Sequence, residues 1–150
     1  LKKKIFKKII LKPRTVDFIK HADHHKEHIE GISTNLKQLL EKSDQAIYVY
    51  LDDHHKICNK KFAALLGYKS IKEWTDIHEP FTKAFVEYES RGALVFAYQK
   101  AIESYVGSCI EVTWNKKDGE KVKTKVILVP FLVNGNVFAL HFVSLITSLS

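Results

Sequence analysis

The side chains best suited to chemistry in this sequence are the histidines of HADHHKEH, residues 21–28. On a helix, His24, His25 and His28 follow His21 at offsets of 3, 4 and 7, within one broad arc, and Asp17 falls on the same side. The pairs His21/His25 and His24/His28 can each hold one transition-metal ion, because imidazole nitrogens four residues apart converge on one helix face. A straight helix seldom gives one ion more than two ligands, so a complete site calls for a second helix and couples metal binding to dimerisation. Two other readings stand beside this one. Histidines with an ordinary pKa of roughly 6.5 make a pH switch if a dimer brings two copies of His25 together. The plainest reading is a polar, partly solvated turn of helix.

No other grouping meets the needs of a catalytic site, which takes a nucleophile beside a base or two carboxylates in contrasting environments. His78 and His141 are lone histidines in apolar stretches and read as hydrogen-bonded core or surface residues, while Asp52-Asp53-His54-His55 reads as a solvated turn. There is no glycine-rich phosphate loop. The chain is therefore expected to be no enzyme. Its two cysteines, Cys58 and Cys109, cannot build a disulfide framework. That pattern suits a reducing, cytoplasmic setting, with both thiols acting as small buried hydrophobes.

The 150 residues are 45% hydrophobic and 27% charged, the balance of an ordinary globular chain. The length suits about one domain. The net charge of +7 is concentrated: residues 1–14 hold seven basic residues and no acid, and residues 15–150 hold 17 of each sign. LKKKIFKKIILKPR is amphipathic. It can lie on an anionic membrane surface at roughly 1 kcal/mol per basic residue, follow an upstream span, or remain a solvated tail. The remainder is neutral and offers no recognition helix, so nucleic acid is not an expected partner. No apolar run approaches the roughly 20 residues of a membrane span, and the expected location is cytoplasmic, with the tail as the route to membrane adjacency. The chain opens at Leu1 and holds no methionine, which leads us to expect further sequence upstream.

The histidines need elements to position them. Pro13 and Thr15 set off a helix expected over 16–42, with Thr15 as N-cap. Its stripe of Phe18, Ala22, His25, Ile29, Ile32, Leu36 and Leu39 alternates steps of four and three, a narrow apolar seam fit for a second helix or for a sheet. Gly31 is the expected weak point. Residues 46–51 and 56–58 read as short strands. NKKFAALLGY (59–68) is a helix capped by Asn59 and ended by Gly67. Residues 70–78 form another short helix, and 92–104 a longer one with Leu94, Val95, Tyr98 and Ile102 inward, while 79–90 has no clear pattern. Strands follow over 108–115, 120–131 and 136–146, joined by KKDG and by Asn134-Gly135, a dipeptide that favours a tight hairpin. The last strand is apolar on both faces, so it belongs in the middle of its sheet with the 16–42 helix as cover. The expected organisation is a basic tail over 1–14, a heptad-patterned helix over 15–43 and a folded body over 44–147.

In this order, residues 44–147 resemble a PAS domain. The resemblance rests on AIYVYLDD, whose strand ends in an acidic turn, and on NKKFAALLGYKSIKEW, where Asn59 opens a helix, Phe62 follows and Gly67-Tyr68 closes it. It rests also on GSCIEVTWNKKDGEKVKTKVILVPF, a strand–KxDG–strand hairpin. It implies an α+β fold: a five-stranded antiparallel sheet with short helices on one face, a small cavity, and an N-terminal amphipathic helix that caps the outer face or pairs with a partner. It implies a signal-sensing or protein-interaction module that binds a small-molecule ligand and forms a homodimer through that helix. Candidate cavity residues are Tyr48, Phe62, Leu66, Trp74, Phe96, Tyr98 and Cys109, with plain core packing as the alternative. A metal- or pH-responsive histidine helix is the alternative function. Flavin is unsupported because the reactive-cysteine helix start of the photoreceptor subgroup is missing, and haem because residues 92–104 hold no histidine. The exit motif is reduced to Leu145-Ile146-Thr147 without its acidic residue, which weakens any C-terminal output.

Overall fold

The structure is a computed structural model that describes residues 15–147, with side chains from His25 onward. The basic segment 1–14, and the side chains of Phe18, Ala22, His21 and His24, lie outside the described part.

The N-terminal helix is broken once. α1 spans Thr15–Asn35 and α2 spans Lys37–Lys42, with Leu36 between them at φ −101°, ψ 7°. The break falls at Leu36 and not at Gly31. Ser33, Thr34 and Asn35 are weak helix formers. The Thr34 hydroxyl also donates to the Glu30 carbonyl at 3.0 Å, a back-bond that tends to bend helices. The break re-aims the seam. Ile32 is fully buried, Leu36 and Leu40 pack beside it against the sheet, and Leu39, expected in the seam, is exposed.

Five strands follow the helix pair, β1 (Ala46–Asp52), β2 (His55–Cys58), β3 (Ser108–Asn115), β4 (Lys121–Val133) and β5 (Asn136–Leu145). They form one sheet in the order β2-β1-β5-β4-β3, with every neighbouring pair antiparallel. β5 is central, as its two apolar faces required. At its turn, Asn134 and Gly135 take φ of 51° and 80°, the positive pair that a tight two-residue hairpin needs. β1 runs one residue further than expected. Asp52 pairs with His55, so the anticipated four-residue turn shrinks to Asp53-His54.

Four helices bridge β2 and β3, namely α3 (Lys60–Leu65), α4 (Ile71–Thr75), α5 (Phe81–Phe85) and α6 (Tyr88–Ser104). α5 and the start of α6 fill the stretch that had no clear pattern. Asn59 caps α3 and does more than cap. Its Oδ1 accepts from the Phe62 and Ile47 N–H groups at 3.0 Å each, and its Nδ2 donates to the Gln45 carbonyl at 2.8 Å. One buried side chain thus locks a helix start onto β1.

The sheet divides the core in two. Its inner face carries Tyr48, Val112, Trp114, Val126, Leu128 and Val143, packed with Phe62, Leu66, Trp74 and Phe85 from the helices. Its outer face carries Ile47, Val49, Phe138 and Leu140, covered by Ile32. The expected cover of the sheet by its own N-terminal helix is therefore what α1 and α2 provide.

Candidate functional site

β1 and β5 place Tyr48 directly opposite His141. Side chains opposite one another point to the same face, and the two rings stack with centroids 4.0 Å apart and planes at 14°. Tyr98 from α6 lies parallel to the same imidazole at 6.1 Å, and its hydroxyl donates to the Tyr50 carbonyl at 3.0 Å. These rings form one wall of a cavity of about 920 Å³, at the upper end of the roughly 300–1,000 Å³ usual for small-molecule sites. Leu94 and Ile102 of α6 and Phe81 of α5 extend that wall, and His25, His28 and Phe138 approach it from the α1 side.

The lining mixes apolar side chains with Asp53, Thr82, Gln99 and Asn136, and His141 is the polar side chain in it that is buried. His141 is 1% exposed, and its Nδ1 is buried without a hydrogen-bond partner. Burial pulls the imidazole down to about 3, against the opposing pull of the Tyr48 and Ala139 carbonyls. The ring is therefore neutral at pH 7. Burial raises the Tyr98 hydroxyl as well, helped by the negative charge of Asp52, so it remains a phenol.

A second polar group sits where α1 crosses the β1–β2 turn. The Asp52 carboxylate meets His25 Nδ1 at 2.5 Å and His55 Nδ1 at 2.9 and 3.0 Å, and accepts the His54 backbone N–H at 2.8 Å. Burial works to raise its pKa, but the hydrogen bonds from His25, His55 and His54 win and hold the carboxyl below the usual carboxylate range.

No protein-family model matches the chain, and no curated protein does. Solved structures do. The PAS domain of an HTR-like protein from Haloarcula marismortui is 21% identical and covers 83% of this chain and 99% of its own, with a TM-score of 0.56. A PAS domain from Colwellia psychrerythraea is 22% identical over 77% and 98%, with a TM-score of 0.60. The fold is that of a PAS domain. A third similar structure, the Vibrio cholerae VqmA dimer in the absence of target DNA, is 12% identical and covers 76% of this chain but 51% of its own, with a TM-score of 0.58.

On this PAS fold the seven candidate cavity residues scatter. Tyr48 and Tyr98 line the cavity. Phe62, Leu66 and Trp74 are wholly buried in the core beside it. Phe96 is 61% exposed, because the buried positions of α6, Leu94, Ala97 and Ala101, place it on the opposite side of the helix. Val95, expected inward, is 40% exposed but does line the cavity, beside Tyr98 and Ile102. Cys109 is exposed too. Val112 and Trp114 fix which β3 residues face inward, and strand alternation turns Cys109 outward. Cys58 is buried as expected, and burial pushes its thiol up to about 12.

The histidines separate as well. His25 turns to Asp52, while His28 sets its ring edge against Phe138, centroids 5.5 Å apart. The sequence marks His141 only as a hydrogen-bonded core or surface residue, and Asp52 and His55 only as parts of a solvated turn. His141 carried a usable signal, since it shares inward parity with Ala139 and Val143 on a strand that had to be central. Lys56 was missed. It is 4% exposed, and its ammonium donates to the carbonyls of Asp53 at 2.9 Å and Ile77 at 2.5 Å. Among the described residues, no helix is long and apolar enough to cross a membrane.

Proposed function

We propose that this chain is a non-catalytic sensory module whose cavity binds a small organic molecule and whose occupancy is read through the N-terminal helix. The observation that carries this reading is His141, a neutral, buried imidazole on the wall of a ligand-sized cavity with Nδ1 unpaired. A buried polar atom left without a partner costs about 1–3 kcal/mol, and a ligand atom that bonds to it removes that cost. The matching ligand is flat and mostly apolar, to lie against Tyr48 and Tyr98, with one polar atom for His141. His25 and His28 border the same cavity, so a filled site bears on α1.

Self-association belongs to the same proposal, and the VqmA structure that resembles this fold is described as a dimer. Ile32, Leu36 and Leu40 are spent on the chain's own sheet. Among the described seam residues, pairing through the N-terminal helix then falls to exposed Leu39 and half-buried Ile29, joined by Ile127 and Val129 on the outer sheet face. In this reading the basic segment 1–14 tethers the module to an anionic surface.

Native mass spectrometry and an absorption spectrum of untagged protein test the cavity. A retained small molecule that is lost in His141→Phe supports the reading. A protein that retains nothing, and whose Tyr98 and His141 NMR signals ignore a fragment panel at millimolar concentration, refutes it. Sedimentation as a monomer at micromolar concentration refutes the dimer.

A further inference from the structure

Asp52 and His55 face each other across the β1–β2 turn, and His25 reaches them from α1, 27 residues earlier in the chain. His25 Nδ1, His55 Nδ1 and a carboxylate oxygen of Asp52 all lie within 4.8 Å of one another. The side chains are 20–31% exposed, open enough for an ion to enter and for the rotamers to adjust. Two imidazoles and one carboxylate are a donor set that first-row divalent ions accept with solvent in the remaining positions. Ligand bonds to zinc of about 2.0–2.2 Å set tetrahedral ligand atoms roughly 3.4 Å apart, so the nitrogen–oxygen contacts of 2.5 and 2.9 Å must open by side-chain movement to admit the ion.

We propose that His25, Asp52 and His55 bind a divalent transition-metal ion of the zinc class, which staples the N-terminal helix to the β1–β2 turn. The ion takes the place of the hydrogens that bridge each imidazole to the carboxylate. Each ring then carries its proton on Nε2 and offers the Nδ1 lone pair, so neutral rings lose no proton overall. The doubly charged ion against one carboxylate leaves a net single positive charge, and water completes the coordination. The chelate differs from a pair of histidines one turn apart on a helix. It joins two elements, and its occupancy fixes the angle at which α1 leaves the sheet. Asp52 and His55 do not line the cavity, so failure at this site and failure of the small-molecule reading are separable.

The test is calorimetric titration of zinc chloride into untagged, EDTA-treated full chain, alongside Asp52→Asn, His55→Gln and the double variant His21→Gln/His24→Gln. Circular dichroism confirms that each variant is folded. The expected result is one equivalent bound by the parent chain, with affinity reduced by at least about tenfold in Asp52→Asn and His55→Gln. That is the smaller loss seen on removing even an outer partner of a ligand. The double variant should bind as the parent does. Cobalt(II) supplies a second readout, since visible bands of a nitrogen–oxygen site should appear in the parent and vanish in His55→Gln. Absence of stoichiometric binding overturns the proposal. So does binding that survives in His55→Gln and disappears in the double variant, which would move the ion to the helix pair.

Discussion

The two faces of β5 are filled by different chemistry. The outer face presents Phe138, Leu140 and Phe142 to the aliphatic side chains of α1 and α2. The inner face presents Ala139, His141 and Val143 to a wall of aromatic rings. A purely apolar face needs only a matching cover, which an amphipathic helix supplies. The inner face holds an imidazole with an unpaired nitrogen, which no packing of hydrocarbon satisfies. The difference sets a face closed by hydrocarbon against one that buries a polar atom without a partner.

Core truncation is the strongest way to probe that contrast. Phe62→Ala on the inner side should cost about 3–5 kcal/mol, because Phe62 is wholly buried among Tyr48, Trp74 and Trp114. Ile32→Ala on the outer side should cost about 2–4 kcal/mol and leave the inner aromatic NMR signals in place. Urea unfolding measures both. An Ile32→Ala loss below about 0.5 kcal/mol would mean that α1 does not cover the sheet in solution.

Acid should act on the inner face next. The unfolded chain protonates a histidine near pH 6.5, whereas folded His141 does so only at about 3. Between these values the unfolded state binds more protons, so stability falls as pH drops. By pH 5 the loss from His141 is about 2 kcal/mol relative to pH 8. His141→Phe should remove that part of the pH dependence. Identical pH profiles for parent and variant would show that the folded imidazole titrates normally and is solvated. The smallest effect is expected at Phe96, which faces solvent on α6. Phe96→Ala should change stability by no more than about 0.5 kcal/mol, in contrast to Phe62→Ala. A larger loss would place Phe96 in an interface between copies.

Much of this architecture was legible before any coordinates. The two-sided apolarity of 136–146 demanded a central strand and a covering helix, and Asn134-Gly135 demanded a tight turn, because both follow from local patterning. Asn59 was legible as a cap but not as the tie to β1, since that tie joins groups 12 residues apart. The cavity residues were only partly legible. Aromatic type suggested Phe96 as readily as Tyr98, although the side of the helix each one faces separates them. Cys109 failed on strand parity, which Trp114 could have fixed.

The sequence by itself determined the elements, their order and the apolar faces they had to bury, because periodicity and turn chemistry act over a few residues. Only the tertiary structure decided which polar groups meet. His25 was read with its helix neighbours, four residues or fewer away, but it finds Asp52 across 27 residues. The sequence reads His141 as a hydrogen-bonded core or surface residue, but it lies buried against Tyr48 with Nδ1 unpaired. The physical reason is the same in both cases. A hydrophobic face specifies that it be covered, and any apolar partner will do. A hydrogen bond or a metal ligand set is specific to distance and direction, and these are fixed only once helix and sheet have packed.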